Sequence, residues 1–263
     1  MRYVLPLRVA LLLTAVCFLW SCQSEKEQLA KTWFFTLENR KSTGPRKDPV
    51  LTPANFIHLE KNGQYSANLL QFETGNWIVN NGMIELQSSS KQVQKLRIIN
   101  SSAKELALDI QPDNADDCQM LFSGIEDPFK DPKENPFDVS NNQWRIAAVK
   151  KETDAEIRAR IGNYFHYWER YFSWALAAKI DYLDVRSLKG PVKIYGNGFA
   201  LVPFEELTEE WHTHFYDLED SRKAYDQIES MFKKETINWP KTDNKFKAFI
   251  SAFQQAQTLL NKK

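Results

Sequence analysis

The chain has 263 residues, and its 34 basic and 34 acidic side chains give a formal net charge of zero. A dedicated nucleic-acid-binding protein is expected to carry a basic excess, so this balance argues against that class. Hydrophobic residues make up 43% and charged residues 26% of the chain, as in ordinary globular proteins, and the length allows one or two domains.

Residues 1–21 have the organisation of a secretory signal. Two arginines accompany an apolar run at residues 9–18, and Ser21 precedes Cys22. A basic start, an apolar core and a small residue before the cleavage point are typical of such signals. The run is too short to span a bilayer core, which needs about twenty apolar residues. The sequence therefore predicts export.

Residues 19–22, Leu-Trp-Ser-Cys, resemble the lipobox of bacterial lipoproteins, although Trp20 stands where small residues are usual. The resemblance implies a lipid anchor on Cys22 and a membrane as partner; an ordinary cleaved signal is the alternative. Residues 22–30 then form a tether, whose acidic residues resemble the signal by which Bacteroidetes place lipoproteins on the outer surface. We expect an outer-membrane lipoprotein, with the periplasmic or outward face left open.

The cysteines indicate that packing, and not disulfide bonds, stabilises the fold. Cys17 leaves with the signal and Cys22 carries the lipid, which leaves Cys118 alone. An intramolecular disulfide therefore cannot form in the mature chain.

Residues 31–125 alternate apolar and polar side chains with a period of two, which predicts strands. Asn62-Gly63 and Asn81-Gly82 are strong hairpin signals because both turn residues must accept positive φ. Eight antiparallel strands hide their edges best by closing into a barrel. The expected strands are residues 31–39, 55–60, 64–72, 75–80, 83–87, 93–99, 105–110 and 118–122.

Three stretches resemble the lipocalin-like domains of bacterial lipoproteins: Leu-Ala-Lys-Thr-Trp at 29–33, Leu-Glu-Lys-Asn-Gly-Gln-Tyr at 59–65 and Gly-Asn-Trp at 75–77. The resemblance covers residues 31–125 and departs at Lys31, where those domains prefer glycine. It implies an antiparallel eight-stranded lipocalin-like β-barrel and is nearly silent on the ligand, because fold does not fix function.

Candidate ligand-binding residues fall in the barrel and in its first loop. The loop at residues 40–53 is long for a hairpin and carries four basic side chains, which would favour an anionic ligand if the loop covers an open barrel. A solvated loop is the alternative. A barrel of eight strands is filled by its own side chains or holds one small ligand, and so many large residues favour filling. The candidate residues are Trp33, Tyr65, Trp77, Arg40, Lys41, Arg46 and Lys47.

Residues 126–142 contain three prolines and few apolar anchors, so we expect a linker before a mainly α-helical domain at residues 143–263. A short strand is expected at 144–150. Thr153 and Glu156 form a capping-box pattern that predicts a helix start. The remaining expected elements are a helix to about residue 183, a hairpin over 192–202, and helices at 204–214, 218–233 and 243–260.

The first of these helices is unusually aromatic around its middle, at residues 164–174. A ligand-stacking or partner-binding surface and a helix buried on two sides are alternative interpretations. We expect Phe165 and Trp174 to be buried, with Tyr167 the most exposed of the three.

No catalytic constellation is evident in the sequence, so we do not expect an enzyme. His212 and His214 point in opposite directions on a helix, and no metal or cofactor is expected. We expect an α+β lipoprotein that acts as a binding module for a small apolar or anionic ligand or a glycan. A structural or accessory subunit of an envelope assembly is the alternative, and a hydrolase with its site between the domains is a third.

Overall fold

A computed structural model describes residues 25–40, 55–69, 71–110, 118–180, 190–195, 198–234 and 237–262. The chain divides into two compact units, and the division falls between Ile125 and Glu126. The first unit is an antiparallel β-barrel and the second is mainly helical, so the predicted α+β class is confirmed.

The first unit is a closed barrel in which each strand pairs antiparallel with the next and the last returns to the first. This confirms the predicted number and order of strands. They are β1 (Thr32–Arg40), β2 (Phe56–Leu59), β3 (Gln64–Asn68), β4 (Phe72–Asn80), β5 (Met83–Ser88), β6 (Val93–Ser101), β7 (Glu105–Asp109) and β8 (Cys118–Ile125).

Both Asn-Gly turns form, but only the second has positive φ at both residues, 50° at Asn81 and 71° at Gly82. At the first turn Gly63 alone has a positive φ, of 92°, because the turn runs over residues 60–63 and Gly63 N donates to the Glu60 carbonyl oxygen at 3.0 Å. Such left-handed backbone is accessible to glycine and to asparagine, and strained for most other residues.

One end of the barrel, which we call the floor, carries the turns at residues 60–63, 80–82 and 102–104. One helical turn at residues 25–29 precedes β1 and covers this end. Leu29 is buried, and its carbonyl oxygen accepts a hydrogen bond of 2.8 Å from Trp33 Nε1. The far end carries the connection at residues 89–92 and the start of β4 at Phe72.

The second unit begins with two 3₁₀ segments, Pro132–Glu134 and Val139–Arg145. No helix in the described ranges of the chain is long and apolar enough to cross a membrane. The remaining elements are α1 (Asp154–Ala177), β9 (Val192–Tyr195), β10 (Gly198–Leu201), a 3₁₀ turn (Phe204–Glu206), α2 (Glu209–His212), α3 (Leu218–Lys234) and α4 (Lys245–Asn261).

Helix α1 begins at the predicted capping box. The Thr153 hydroxyl accepts a hydrogen bond from Glu156 N, and the Glu156 carboxylate accepts one from Thr153 N at 2.8 Å. The helix ends at Ala177, earlier than the expected residue 183, because Lys179 has a left-handed φ of 56° that terminates the helix.

Two secondary-structure expectations are wrong. Residues 144–150 do not form a strand, because Arg160 Nη1 donates to the carbonyl oxygens of Trp144 and Ile146 that a strand ladder would need. The helix expected at 204–214 is instead a 3₁₀ turn and the four-residue α2, since the backbone between them is extended at Leu207 and Thr208.

Residues 126–142, where the sequence predicts a linker, pack within the second unit. Asp127 accepts hydrogen bonds from Asn135 Nδ2 at 2.7 Å and from Trp174 Nε1 at 3.3 Å. The Phe137 ring is fully buried and meets the Trp174 ring edge-on, with centroids 4.9 Å apart. This segment is therefore held on α1 by both polar and aromatic contacts.

The aromatic part of α1 lies in the core of the second unit. Phe165 is 0% and Trp174 1% exposed, which confirms their expected burial, and Tyr167, at 2%, is buried as well. Phe172 contacts three rings of α4, those of Phe246, Phe249 and Phe253. Helix α1 is thus buried on more than one side, which accounts for its composition.

Candidate functional site

The barrel interior holds the three aromatic residues that the sequence proposes as ligand contacts. Trp33, Tyr65 and Trp77 are each at most 1% exposed. Neighbouring aliphatic side chains such as Ile57 and Ile84 have no exposed surface, so no water-sized space adjoins them. The interior around these aromatic residues is therefore packed with side chains. The others packed there are Leu59, Leu86, Leu96, Leu106, Leu108, Met120 and Phe122.

The two indoles are already engaged within the barrel. Trp33 donates to the Leu29 carbonyl oxygen, and Trp77 Nε1 donates to the Glu60 carbonyl oxygen at 2.9 Å. The Tyr65 hydroxyl has no hydrogen-bond partner in the described part of the chain. Burial, together with the negative charge of Glu73, raises the pKa of Tyr65. The phenol therefore stays protonated inside the barrel.

The basic candidates lie at the end of the first strand or outside the described residues. Arg40 is the last residue of β1, while Lys41, Arg46 and Lys47 lie outside the described residues, as does Cys22. A ligand-binding role for the seven candidates stays a prediction.

A groove of about 750 Å³ lies on the second unit, and sequence reasoning missed it. One wall is a face of α3 on which Gln227, Ser230, Met231 and Lys234 recur at helical spacing. The opposite wall is the end of α4, and Arg158 of α1 contributes between them. The remaining lining residues are Asp226, Leu259, Leu260, Asn261 and Lys262.

The charge and polarity of the groove lining favour an anionic ligand. Among the described residues that line it are three cationic side chains, Arg158, Lys234 and Lys262, and one carboxylate, that of Asp226, so these residues have a net formal charge of 3 − 1, or +2. Arg158 Nη1 donates to the Leu260 carbonyl oxygen at 2.9 Å, which fixes the guanidinium in the wall. Such a lining suits a small anion, because cations offset the charge that the anion brings.

The apolar part of the lining adds a second feature. Met231, Leu259 and Leu260 are apolar side chains, and Gln227 Oε1 is buried without a hydrogen-bond partner among the described residues. The Gln227 oxygen is buried and does not face the open groove. The apolar wall beside the cationic side chains fits an anion that also carries an apolar portion. The spacing on α3 was a visible signal, but the position of α4 opposite it was not.

The histidines are held apart by separate contacts. His212 Nδ1 is 2.9 Å from Ser221 Oγ, whereas the His214 ring packs edge-on against Trp144 with centroids 5.2 Å apart. Burial lowers the pKa of His214 to about 3, and the positive charges of Arg145 and Arg160 act in the same direction. The His214 imidazole is therefore neutral at physiological pH and belongs to the aromatic core.

The closed eight-stranded antiparallel barrel of the first unit is consistent with a lipocalin-like fold. No protein-family profile, no curated protein and no solved structure matches the chain.

Proposed function

We propose that this chain is a non-enzymatic, lipid-anchored lipoprotein of the cell envelope that binds a small anionic ligand with an apolar portion. The observation that carries the binding proposal is the groove of about 750 Å³, with its excess of cationic side chains. Small-molecule sites commonly have volumes of about 300–1,000 Å³ and combine apolar walls with a few polar groups. In this proposal the packed lipocalin-like barrel has a structural role, and the groove on the second unit is the ligand-binding site.

Titration with 8-anilinonaphthalene-1-sulfonate, an anionic aromatic probe, tests the binding proposal. Replacing Lys234 and Lys262 together by glutamine is expected to weaken binding, by about 1.4- to 5-fold for each exposed cation removed. Ser230→Trp should abolish binding by filling the groove while leaving the melting temperature nearly unchanged. Lys247→Gln, on helix α4 and outside the groove lining, is the control. Equal affinity in the wild type, Ser230→Trp and the double variant would contradict the proposal.

The anchor is tested separately. Wild-type chain should sediment with membranes, and mass spectrometry should find an acylated Cys22 at its amino terminus. Several acyl chains on one residue anchor stably, whereas a single chain binds only marginally. Cys22→Ser should release the protein into the soluble fraction. An unmodified peptide that still contains Leu19, Trp20 and Ser21 upstream of Cys22 would contradict lipidation.

A second candidate function, an accessory subunit of an envelope assembly, is favoured by an exposed apolar patch on the second unit. Val149 is 92% exposed, and Ile146, Tyr216 and Leu218 are also exposed. The two segments carrying them are joined where Ala148 N donates to the His214 carbonyl oxygen at 3.2 Å. A photoreactive residue at Val149 should crosslink to one envelope protein in cells, and one at Asn163 should not. No difference between these positions would remove this candidate.

A further inference from the structure

The chain enters the barrel through the floor, and its first described residues are fixed there. The Lys26 ammonium lies over the Trp77 ring, 5.3 Å from the ring centroid. A Cβ placed on Gly63 would lie 3.4 Å from Lys26 Nζ, so Lys26 adjoins the turn at residues 60–63. Three residues further on, Leu29 is 0% exposed within the barrel core. The start of the described chain is therefore held at the floor by cation–π, backbone and apolar contacts.

The distance from this point to the proposed anchor is short. Four residues lead from Cys22 to Lys26, and a fully extended chain advances at most about 3.6 Å per residue. The backbone of Lys26 can therefore lie no further than about 14 Å from Cys22. This limit comes from covalent geometry and holds for any conformation of the intervening residues.

We infer that the floor of the barrel faces the membrane and contacts its phospholipid headgroups, while the far end is directed away. This inference rests on the proposed lipid anchor at Cys22, which places that residue at the bilayer surface. The exposed residues of the floor turns are polar or small, and a headgroup layer can contact such residues without burying apolar surface; they include Lys61, Asn62, Asn81, Ser102, Ala103 and Lys104.

The length of the barrel strands keeps the far end well apart from the floor. Strand β4 has nine residues, which at about 3.4 Å each span about 30 Å along the strand, or over 20 Å along the axis at the tilt of a barrel. The far-end connection at residues 89–92 is thus over 20 Å from the floor along the axis, which is more than the distance of about 14 Å that the tether allows between Cys22 and Lys26. Acidic Glu27 and Glu60 accompany Lys26 and Lys61 at the floor, so the length of the tether, not net charge, determines this orientation.

The orientation is tested with the full acylated chain in vesicles of phosphatidylethanolamine and phosphatidylglycerol that contain a lipid with a nitroxide on its headgroup. A fluorophore is attached at Lys61→Cys or Ala103→Cys on the floor, and at Gln92→Cys near the far end, each in a Cys118→Ala background. All three positions are exposed. We expect several-fold stronger quenching at both floor positions than at Gln92→Cys. Matching melting temperatures show that the variants remain folded.

The outcomes separate this inference from the proposed anchor. Protein that floats with the vesicles and carries acylated Cys22, but shows equal quenching at the three sites or the strongest at Gln92→Cys, overturns the orientation alone. Protein that lacks the acyl group and does not float overturns the anchor, and the orientation with it. Preferential floor quenching that disappears when a flexible segment of twenty glycine and serine residues is inserted after Ser24 would support the limit set by tether length.

Discussion

Arg160 and Glu152 form a two-pronged ion pair in the second unit, with Arg160 Nε and Nη2 donating to the carboxylate at 3.0 and 2.9 Å. Their side chains are only 13% and 11% exposed. The same guanidinium donates through Nη1 to the carbonyl oxygens of Trp144 and Ile146, at 2.8 and 2.9 Å. One side chain of α1 therefore satisfies both a largely buried carboxylate and the backbone at the end of the second 3₁₀ segment.

Removing this guanidinium should be costly. Arg160→Ala is expected to lower the free energy of unfolding by about 3–5 kcal/mol, since it leaves Glu152 charged and poorly solvated. Lys233→Ala breaks an exposed pair with Glu229 and should change stability by less than about 1 kcal/mol. Urea denaturation of both variants checks the difference, and similar small effects would contradict the structural role of Arg160.

The aromatic residues of α1 provide a second prediction. Phe165→Ala and Trp174→Ala should each destabilise the protein by about 3–5 kcal/mol, because each deletion leaves a cavity in a packed core. Asn163 is exposed on the same helix, and Asn163→Ala should stay within about 0.5 kcal/mol of wild type. Thermal and urea unfolding measure all three. Melts of the aromatic variants that coincide with the wild-type melt would show that these rings are not core.

Protonation of His214 should make stability depend on pH. Burial and two nearby arginines lower its pKa to about 3 in the folded state, from 6.5 ordinarily, so the unfolded chain binds the proton more readily. The stabilising contribution is present above about pH 6.5 and is lost as the pH falls, by up to about 1.4 kcal/mol per pH unit. In His214→Phe, the dependence between about pH 6.5 and 5 should flatten. Urea midpoints across this range measure it, and parallel curves for the two proteins would assign the dependence to other groups.

Gly75 should tolerate no side chain. A Cβ at this position in β4 would collide with the Gln87 carbonyl oxygen and lie 2.9 Å from Ser88 Cα, both backbone atoms of the neighbouring strand. Gly75→Ala should therefore destabilise the barrel by more than about 2 kcal/mol, because the β4–β5 pairing must shift.

Gly82→Ala provides the matched control for Gly75→Ala. Nothing lies within 4 Å of a Cβ at Gly82, and its φ of 71° alone is strained for alanine. We expect a cost of about 1–2 kcal/mol from the backbone conformation. If the two variants melt together, the close approach of β4 and β5 at Gly75 is not a constraint.

The strands and turns of the barrel could be predicted from the sequence because their signals are local. Alternation within each strand selects the face that is buried, and the Asn-Gly pairs at residues 62–63 and 81–82 mark two of the turns. The capping box at Thr153 and Glu156 is local in the same way, and it placed the start of α1. Each of these features depends on residues within a few positions of one another.

Tertiary structure decided what depends on distant residues. Residues 144–150 do not form the predicted strand because Arg160, which lies on α1, donates hydrogen bonds to the carbonyl oxygens of Trp144 and Ile146. Residues 126–142 pack against α1 because Trp174 is close enough to bond Asp127, although the two are 47 positions apart. Long-range hydrogen bonds of this kind have no periodic signature in the sequence.

The candidate site shows the same division. The face of α3 that carries Gln227, Ser230 and Met231 is visible in the sequence as a helical stripe. A groove arises only because the end of α4 lies opposite that face and Arg158 is fixed between them by the Leu260 carbonyl oxygen. Composition determined which side chains the helices can present. The packing of three helices decided which of these side chains share a surface, because this packing depends on contacts between residues more than a hundred positions apart in sequence.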